Sequence, residues 1–130
     1  MTRRCIRILY GVLFGTVALT GICTADDASR PSASETRAAY ASGTVFVDVR
    51  TDAEWSAGHL KNARHLPVDE VAAHAPTVLP QKNEPVVVYC KSGRRAQSAA
   101  EQLRQLGYQH VTAMTGGYAD LKAAGYPVVE

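Results

Sequence analysis

The order of apolar and polar positions predicts a chain in which strands and helices alternate. The strongest strand signal is residues 85–90, a continuous apolar run that ends at Cys90 and is typical of a strand covered on both faces. Residues 44–49 form a second run, which is rich in β-branched residues. Beyond the polar residues 91–95, small and apolar residues recur at the spacing of one helix face, at Ala96, Ala99, Ala100, Leu103 and Leu106.

Caps and chain breakers predict the shorter elements. Thr51 and Glu54 have the spacing of a capping box, so a short helix should follow, and we expect its Trp55 to belong to the core. Pro67 should end a short strand, and Gly107 should end the long helix. The other predicted elements are helices over residues 35–41 and 70–75 and one ending near residue 124, with strands over residues 63–66 and 111–114.

This alternation predicts a three-layer α/β domain with a mainly parallel sheet flanked by helices. Ligands of such sheets bind outside the C-terminal ends of the strands, and Cys90 stands at one of these ends. We expect Gly116 and Gly117, after the last long strand, to serve a turn.

The N-terminus has the pattern of a cleavable secretory signal peptide. Three arginines precede the apolar residues 8–22, and small residues lead to Ala25, after which we expect cleavage. An uncleaved membrane anchor and a lipoprotein tethered through Cys23 are the alternatives. The predicted divisions are a signal peptide (1–25), a linker (26–33) and one domain (34–130). We therefore expect an exported, periplasmic protein that contacts the membrane only through its signal segment.

Charge and cysteine content narrow the possible functions. The net charge is +2, and the N-terminal arginines account for the excess, because the chain after Ala25 keeps 11 of the 14 basic and all 12 acidic residues. This balance predicts no nucleic-acid partner. Removal of Cys5 and Cys23 with the signal peptide would leave Cys90 as the one cysteine, which excludes an internal disulfide.

The residues after Cys90 have the composition of an anion-binding turn. Gly93 supplies conformational freedom, and backbone N–H groups of the turn and of the following helix would face the sulfur. Lys91, Arg94 and Arg95 add positive charge. These groups favour thiolate over thiol, so we expect an exposed, nucleophilic sulfur. Such a thiolate can accept one sulfur from an anionic donor and pass it on, which needs no metal or organic cofactor.

Several motifs occur together in a characteristic order. They are residues 45–50 with Glu54, Trp55, Gly58 and His59, then residues 87–96, Gly116 with Gly117, and residues 124–128. Over residues 34–130 this set resembles the rhodanese homology domain, in particular its single-domain exported thiosulfate sulfurtransferase type.

The resemblance implies a five-stranded parallel sheet wrapped by helices, and sulfur transfer through a persulfide on Cys90. The implied substrate- and persulfide-binding loop is Lys91, Ser92, Gly93, Arg94 and Arg95. We interpret Asp48 and Arg50 as an internal polar pair that supports the floor of the site. The implied reactants are a small anionic sulfur donor and, as acceptor, cyanide or a thiol, including a protein thiol. Many relatives carry a tryptophan in the last helix, where this chain has Leu121.

Other functions could use the same thiol. A cysteine phosphatase or arsenate reductase would have arginine after five intervening residues, where this chain has Ala96; here the arginine comes one residue earlier, at Arg95. The shorter loop suits a single sulfur better than a tetrahedral anion. A non-catalytic sulfur carrier or thiol-partner binding module would keep both Cys90 and the basic loop. His65, His74 and His110 lack metal-ligand spacing, so we predict no metal site.

Overall fold

A four-stranded parallel sheet forms the centre of the computed structural model, which describes residues 30–130. Its strands are β1 (Val45–Asp48), β3 (Arg64–His65), β4 (Val86–Cys90) and β5 (Val111–Gly117). Their order across the sheet is β3–β1–β4–β5. All three strand pairs are parallel, as the sequence predicts.

Helices cover both faces of this sheet. They are α1 (Arg37–Ala41), α2 (Asp52–Ala57), α3 (Val71–Val78), α4 (Arg94–Gln105) and α5 (Tyr118–Ala123), with a 3-10 turn at Val68–Glu70. One apolar cluster joins the sheet to α3 and α4, and a second joins the opposite face to α1 and α5. Every residue of β4 is buried, with Val88 in the first cluster and Val87 in the second. Burial of a parallel strand on both faces explains its continuous apolar run.

The number of strands in the main sheet differs from the five that the resemblance implies. Two further strands, β2 (His59–Leu60) and β6 (Val128–Val129), pair with each other in an antiparallel ribbon outside it. Only residues 61–63 separate β2 from β3. A parallel crossover needs about a dozen residues or more, so this connection is too short for β2 to join β3 in a parallel pair.

Two predicted helices have different bounds in the structure. Helix α3 continues through Pro76 to Val78, whereas we predicted that it would end at residue 75. Proline removes one helical hydrogen bond, but Val71 and Ala75 are fully buried on the face that packs on the domain, and this packing holds the helix together. Helix α1 begins at Arg37, with Thr36 as its N-cap residue, two residues later than predicted.

The predicted signal peptide lies outside the described residues. Between residues 30 and 130, none of the helices combines the length and the apolar character that crossing a membrane requires. The described part of the predicted linker, residues 30–33, packs on the domain, where Ala33 is 8% exposed.

Candidate active site

Cys90 lies at the C-terminal end of β4, directly before the loop that leads into α4. This is the position that the alternation of elements predicts. The expectation of an exposed sulfur is wrong, because Cys90 is 0% exposed. Its side chain belongs to the apolar cluster between the sheet and α4, and the loop from Lys91 to Gly93 follows directly after it.

The loop presents a backbone donor to the buried sulfur. The Gly93 N–H donates a hydrogen bond to Cys90 Sγ over 3.0 Å. Gly93 has a φ of +96°, a left-handed conformation that glycine adopts without steric cost and that directs this N–H inward. Helix α4 begins at the next residue, so the positive end of its dipole also lies at the loop. We predicted a cradle of several N–H groups; among the described residues, Gly93 supplies the one backbone hydrogen bond to the sulfur.

Arg95, which we assigned to the binding loop, forms an ion pair with a carboxylate of α2. Its guanidinium donates two hydrogen bonds to Glu54, of 2.7 Å to Oε1 and 3.1 Å to Oε2. The hydrogen bonds from Arg95 lower the pKa of Glu54 from 4.5 to about 2. Glu54 also completes the predicted capping box, since its carboxylate accepts a hydrogen bond from the Thr51 N–H and its own N–H donates to the Thr51 hydroxyl oxygen. The capping-box spacing identified Glu54, but nothing in the sequence linked it to Arg95, which is 41 residues away.

Asp48 and Arg50 form the internal pair that we predicted. The Arg50 guanidinium donates to both oxygens of Asp48, at 2.7 Å for Nη2 to Oδ2 and 3.0 Å for Nε to Oδ1, and Arg50 and Asp48 are 5% and 0% exposed. Burial opposes the charge of Arg50, but its hydrogen bonds to Asp48 raise the pKa of the guanidinium, which therefore stays protonated. Arg50 Nη2 also donates to the Gly58 carbonyl over 2.6 Å, and the guanidinium lies 4.4 Å from the ring centre of Tyr118. The pair thus ties the end of β1 to the β2 segment and to α5.

The remaining loop side chains are exposed. Lys91, Ser92 and Arg94 face solvent, whereas Gly93 is buried. Lys91 also borders an open cavity of about 270 Å³. Its lining is Arg50, Glu54, Ala57, Gly58, Lys91, Tyr118 and Ala119. This cavity, with the exposed cation Lys91 at its edge, lies beside the loop that covers the buried sulfur.

Gly117 packs against the backbone of the loop, a role that the sequence did not reveal. It pairs with Cys90 across the β4–β5 ladder. A Cβ atom at Gly117 would lie 2.2 Å from the Cys90 carbonyl oxygen and 2.3 Å from that of Lys91. We expected Gly116 and Gly117 to serve a turn; Gly116 does have a left-handed φ of +72°, but Gly117 is extended and serves close packing.

Trp55 and two histidines form a stack beside the site. The Trp55 ring is parallel to His59, with centroids 3.5 Å apart, and to His65 at 4.6 Å. His65 Nε2 lies 2.9 Å from the Arg50 carbonyl oxygen. Trp55 is only partly buried, so its predicted place in the core is wrong, because α2 carries it at the edge of the domain. Leu121, where many relatives have tryptophan, is fully buried in the second cluster. Within residues 30–130, no group of three or more histidine, cysteine, aspartate or glutamate side chains is arranged to hold a metal ion.

Comparison with known proteins gives one consistent result. Residues 32–124 match the model of the rhodanese-like domain. The chain is 37% identical over 76 residues to the thiosulfate sulfurtransferase PspE of Escherichia coli, a match that covers 58% of this chain and 72% of that protein. It is 34% identical over 77 residues to the tRNA uridine(34) hydroxylase of Cronobacter sakazakii, but covers only 22% of that protein.

Solved structures agree with the sequence comparison. A rhodanese from E. coli, determined with anions, superposes with a TM-score of 0.58 at 34% identity, covering 67% of this chain and 98% of that one. The solution structure of a rhodanese-like domain from Anabaena superposes with a TM-score of 0.68 at 26% identity, covering 77% of each chain. From its motifs, its fold and these matches, the chain belongs to the rhodanese-like domain family.

Proposed function

We propose that this chain is a sulfurtransferase that moves sulfane sulfur from an anionic donor such as thiosulfate to a nucleophilic acceptor, through a persulfide on Cys90. The observation that carries the proposal is the hydrogen bond from the Gly93 N–H to Cys90 Sγ, within a loop that carries the exposed cations Lys91 and Arg94. A hydrogen-bonded sulfur at a helix N-terminus favours the thiolate form, which is the nucleophile. The similarity to PspE, named a thiosulfate sulfurtransferase, supports the same class of reaction.

The first step loads the enzyme. The Cys90 thiolate attacks the outer sulfur of thiosulfate and forms a new S–S bond. The S–S bond of the donor breaks, and sulfite leaves with the electron pair. The product is Cys90–S–S⁻, whose terminal anion needs hydrogen-bond donors and positive charge around it.

The second step unloads it. A cyanide ion or a thiolate attacks the terminal sulfur, and the S–S bond of the persulfide breaks with its electrons returning to Cys90. Thiocyanate or a new persulfide leaves, and the thiolate is regenerated. Each step is a displacement between anions, so the protein's contribution is positioning and electrostatic stabilisation.

Burial of Cys90 sets how the donor must approach. Because the residue is 0% exposed, the outer sulfur of the donor must enter the loop to reach it, and the anionic remainder of the donor lies at the outer surface of the loop. Lys91 and Arg94 are exposed there and supply the positive charge that this part requires. Arg95 is engaged with Glu54, so we assign it to bracing α4 and not to contacting the donor.

The supporting pair acts from the neighbouring strand. Asp48 and Tyr89 are paired across β1 and β4, and Tyr89 directly precedes Cys90. The Tyr89 hydroxyl accepts a hydrogen bond from the Leu60 N–H over 3.1 Å, and burial raises the pKa of that hydroxyl. We assign Asp48 and Arg50 the role of holding this wall of the site, without contact with sulfur.

We also propose that the protein is exported to the periplasm. The proposal rests on the basic and apolar pattern of residues 1–25, which is typical of a secretory signal peptide. N-terminal sequencing of protein recovered from the cell envelope tests it: a first residue of Asp26 supports cleavage after Ala25, and an intact Met1 in the cytoplasm refutes export.

Steady-state assays test the activity. With thiosulfate and cyanide, the wild-type chain should form thiocyanate, and Cys90→Ser should form none above the uncatalysed rate. One sulfur loaded per chain without acceptor-driven release would instead indicate a carrier, and phosphate release from an aryl phosphate would indicate a phosphatase.

A further inference from the structure

The segment before α1 is built into the domain beside the active-site loop. We call residues 30–33 the N-terminal strap. The Pro31 carbonyl accepts a hydrogen bond of 2.8 Å from the Thr115 N–H, at the end of β5. The Ala33 carbonyl accepts one of 2.7 Å from the Tyr126 hydroxyl. These bonds fix the strap along the edge of the site.

Arg30, the first described residue, reaches the loop itself. Its guanidinium Nη1 donates a hydrogen bond of 3.0 Å to the Gly93 carbonyl oxygen. The N–H of the same Gly93 donates to Cys90 Sγ over 3.0 Å. The Gly93 carbonyl also accepts from the Gln97 N–H over 3.1 Å, which begins the hydrogen bonding of α4. Gly93 is thus hydrogen-bonded to the strap, to α4 and to the sulfur.

This arrangement matters because Gly93 is the flexible point of the loop. Its left-handed φ of +96° is open to glycine, but glycine also adopts many other conformations. A rotation of either backbone bond would turn its N–H away from the sulfur. The bond from Arg30 opposes that rotation, since it fixes the carbonyl on the other side of the same residue.

We propose that Arg30 is a positioning residue of the persulfide loop, an inference that rests on the proposed function for its sulfur chemistry. Arg30 holds Gly93 so that its N–H faces the sulfur, and it places a permanent positive charge on the loop. Both effects favour the anionic sulfur, as thiolate or as persulfide. In this role Arg30 acts through Gly93 and not by contact with the donor.

Alkylation of Cys90 by iodoacetamide tests the proposal without any sulfur donor. We expect Arg30→Gln to lower the rate constant at neutral pH by about 3- to 10-fold, because reactivity follows the thiolate fraction. Arg30→Lys should recover most of the rate, since it keeps the charge and one donor. Cyanide-dependent turnover should fall in kcat more than in KM, because the donor is not contacted.

Arg37→Gln is the matched control. Arg37 lies in the next helix, donates to the Ala124 carbonyl and stacks over the Tyr126 ring, at 5.1 Å from its centre. Its loss should reduce thermal stability and leave alkylation unchanged. Equal alkylation rates in wild type and in a folded Arg30→Gln would overturn the proposal, as would an Arg37→Gln variant that slows alkylation as much. If Arg30→Gln does not fold, the Lys variant decides: a rate within about 2-fold of wild type supports the role of charge, and a loss as large as that predicted for Gln refutes it.

The two proposals can fail separately. A wild-type chain that never loads sulfur, while Arg30→Gln still slows alkylation, would refute the sulfurtransferase function and leave the positioning role in place. Normal loading with no dependence on Arg30 would do the reverse.

Discussion

Replacement of Gly117 by alanine adds a single methyl group on β5 that presses against the backbone of the active-site loop. The added Cβ would meet the carbonyl oxygens of Cys90 and Lys91 at 2.2 and 2.3 Å, whereas real Cβ atoms essentially never approach a heavy atom closer than 3.0 Å. Both obstacles are backbone atoms, which cannot rotate away as a side chain can. The loop, the β5 backbone or both must therefore move.

Reaching a separation of 3.0 Å requires a shift of about 0.8 Å, and a displacement of reacting groups by about 1 Å can cost on the order of 100-fold in rate. Such a shift would disturb the 3.0 Å hydrogen bond from the Gly93 N–H to Cys90 Sγ. We therefore expect thiosulfate turnover to fall by about 30- to 100-fold. Overpacking of this kind also destabilises a domain by about 1–3 kcal/mol. The loss of activity should persist at temperatures where the variant is fully folded.

The assay is thiocyanate formation combined with urea denaturation, and Gly43→Ala is the control. Gly43 has a φ of +85°, and an alanine Cβ there would have no atom within 4 Å, so this substitution causes backbone strain without a clash. Strain of this type costs about 1–2 kcal/mol. A Gly117→Ala variant that keeps full turnover, or a Gly43→Ala variant that loses turnover equally, would refute the role assigned to close packing beneath the loop.

Three further substitutions test the ion pairs. The carboxylate of Glu54, with a pKa of about 2 against an ordinary 4.5, contributes stability above its ordinary pKa that is lost as pH falls toward 2. Since both side chains of its pair with Arg95 are about 30% exposed, we expect Glu54→Gln to cost only about 1 kcal/mol at neutral pH. In urea denaturation at a series of pH values, the free energy of unfolding of this variant should also fall less than that of wild type as the pH decreases. An equal fall in both proteins would count against the pair. Arg95→Lys should leave the KM for thiosulfate within about 2-fold, because the guanidinium faces Glu54 and a lysine there still carries the charge; a KM raised tenfold would return Arg95 to the substrate. Asp48→Ala leaves Arg50 buried without its partner and should cost about 3–5 kcal/mol in urea denaturation, and a loss below about 1 kcal/mol would show that the pair is not coupled to folding.

The long elements follow directly from the sequence because burial alone sets their pattern. The apolar run of β4 is buried on both faces, and the small residues of α4 face the sheet at helical spacing. The capping box at Thr51 also forms as its spacing predicts. These features depend on neighbours along the chain, or on one face of one element.

The features that sequence did not reveal depend on distant partners. Burial of Cys90 arises from α4 packing on the sheet and from Gly117 on the neighbouring strand. The bond from Arg30 to Gly93 spans 63 residues. The polar composition of residues 26–33 indicated a linker. The hydrogen bonds that hold residues 30–33 on the domain are accepted by backbone carbonyls, from β5 and from Tyr126, and backbone carbonyls are the same in every residue type.

The intact mass of the purified domain after incubation with thiosulfate tests the persulfide most directly. We predict a gain of about 32 Da on the wild-type chain, the mass of one sulfur atom, which cyanide or a reducing agent removes and which Cys90→Ser does not acquire. A wild-type mass that stays unchanged under conditions in which thiocyanate is formed, or a gain of the same size on Cys90→Ser, would contradict sulfur transfer through Cys90.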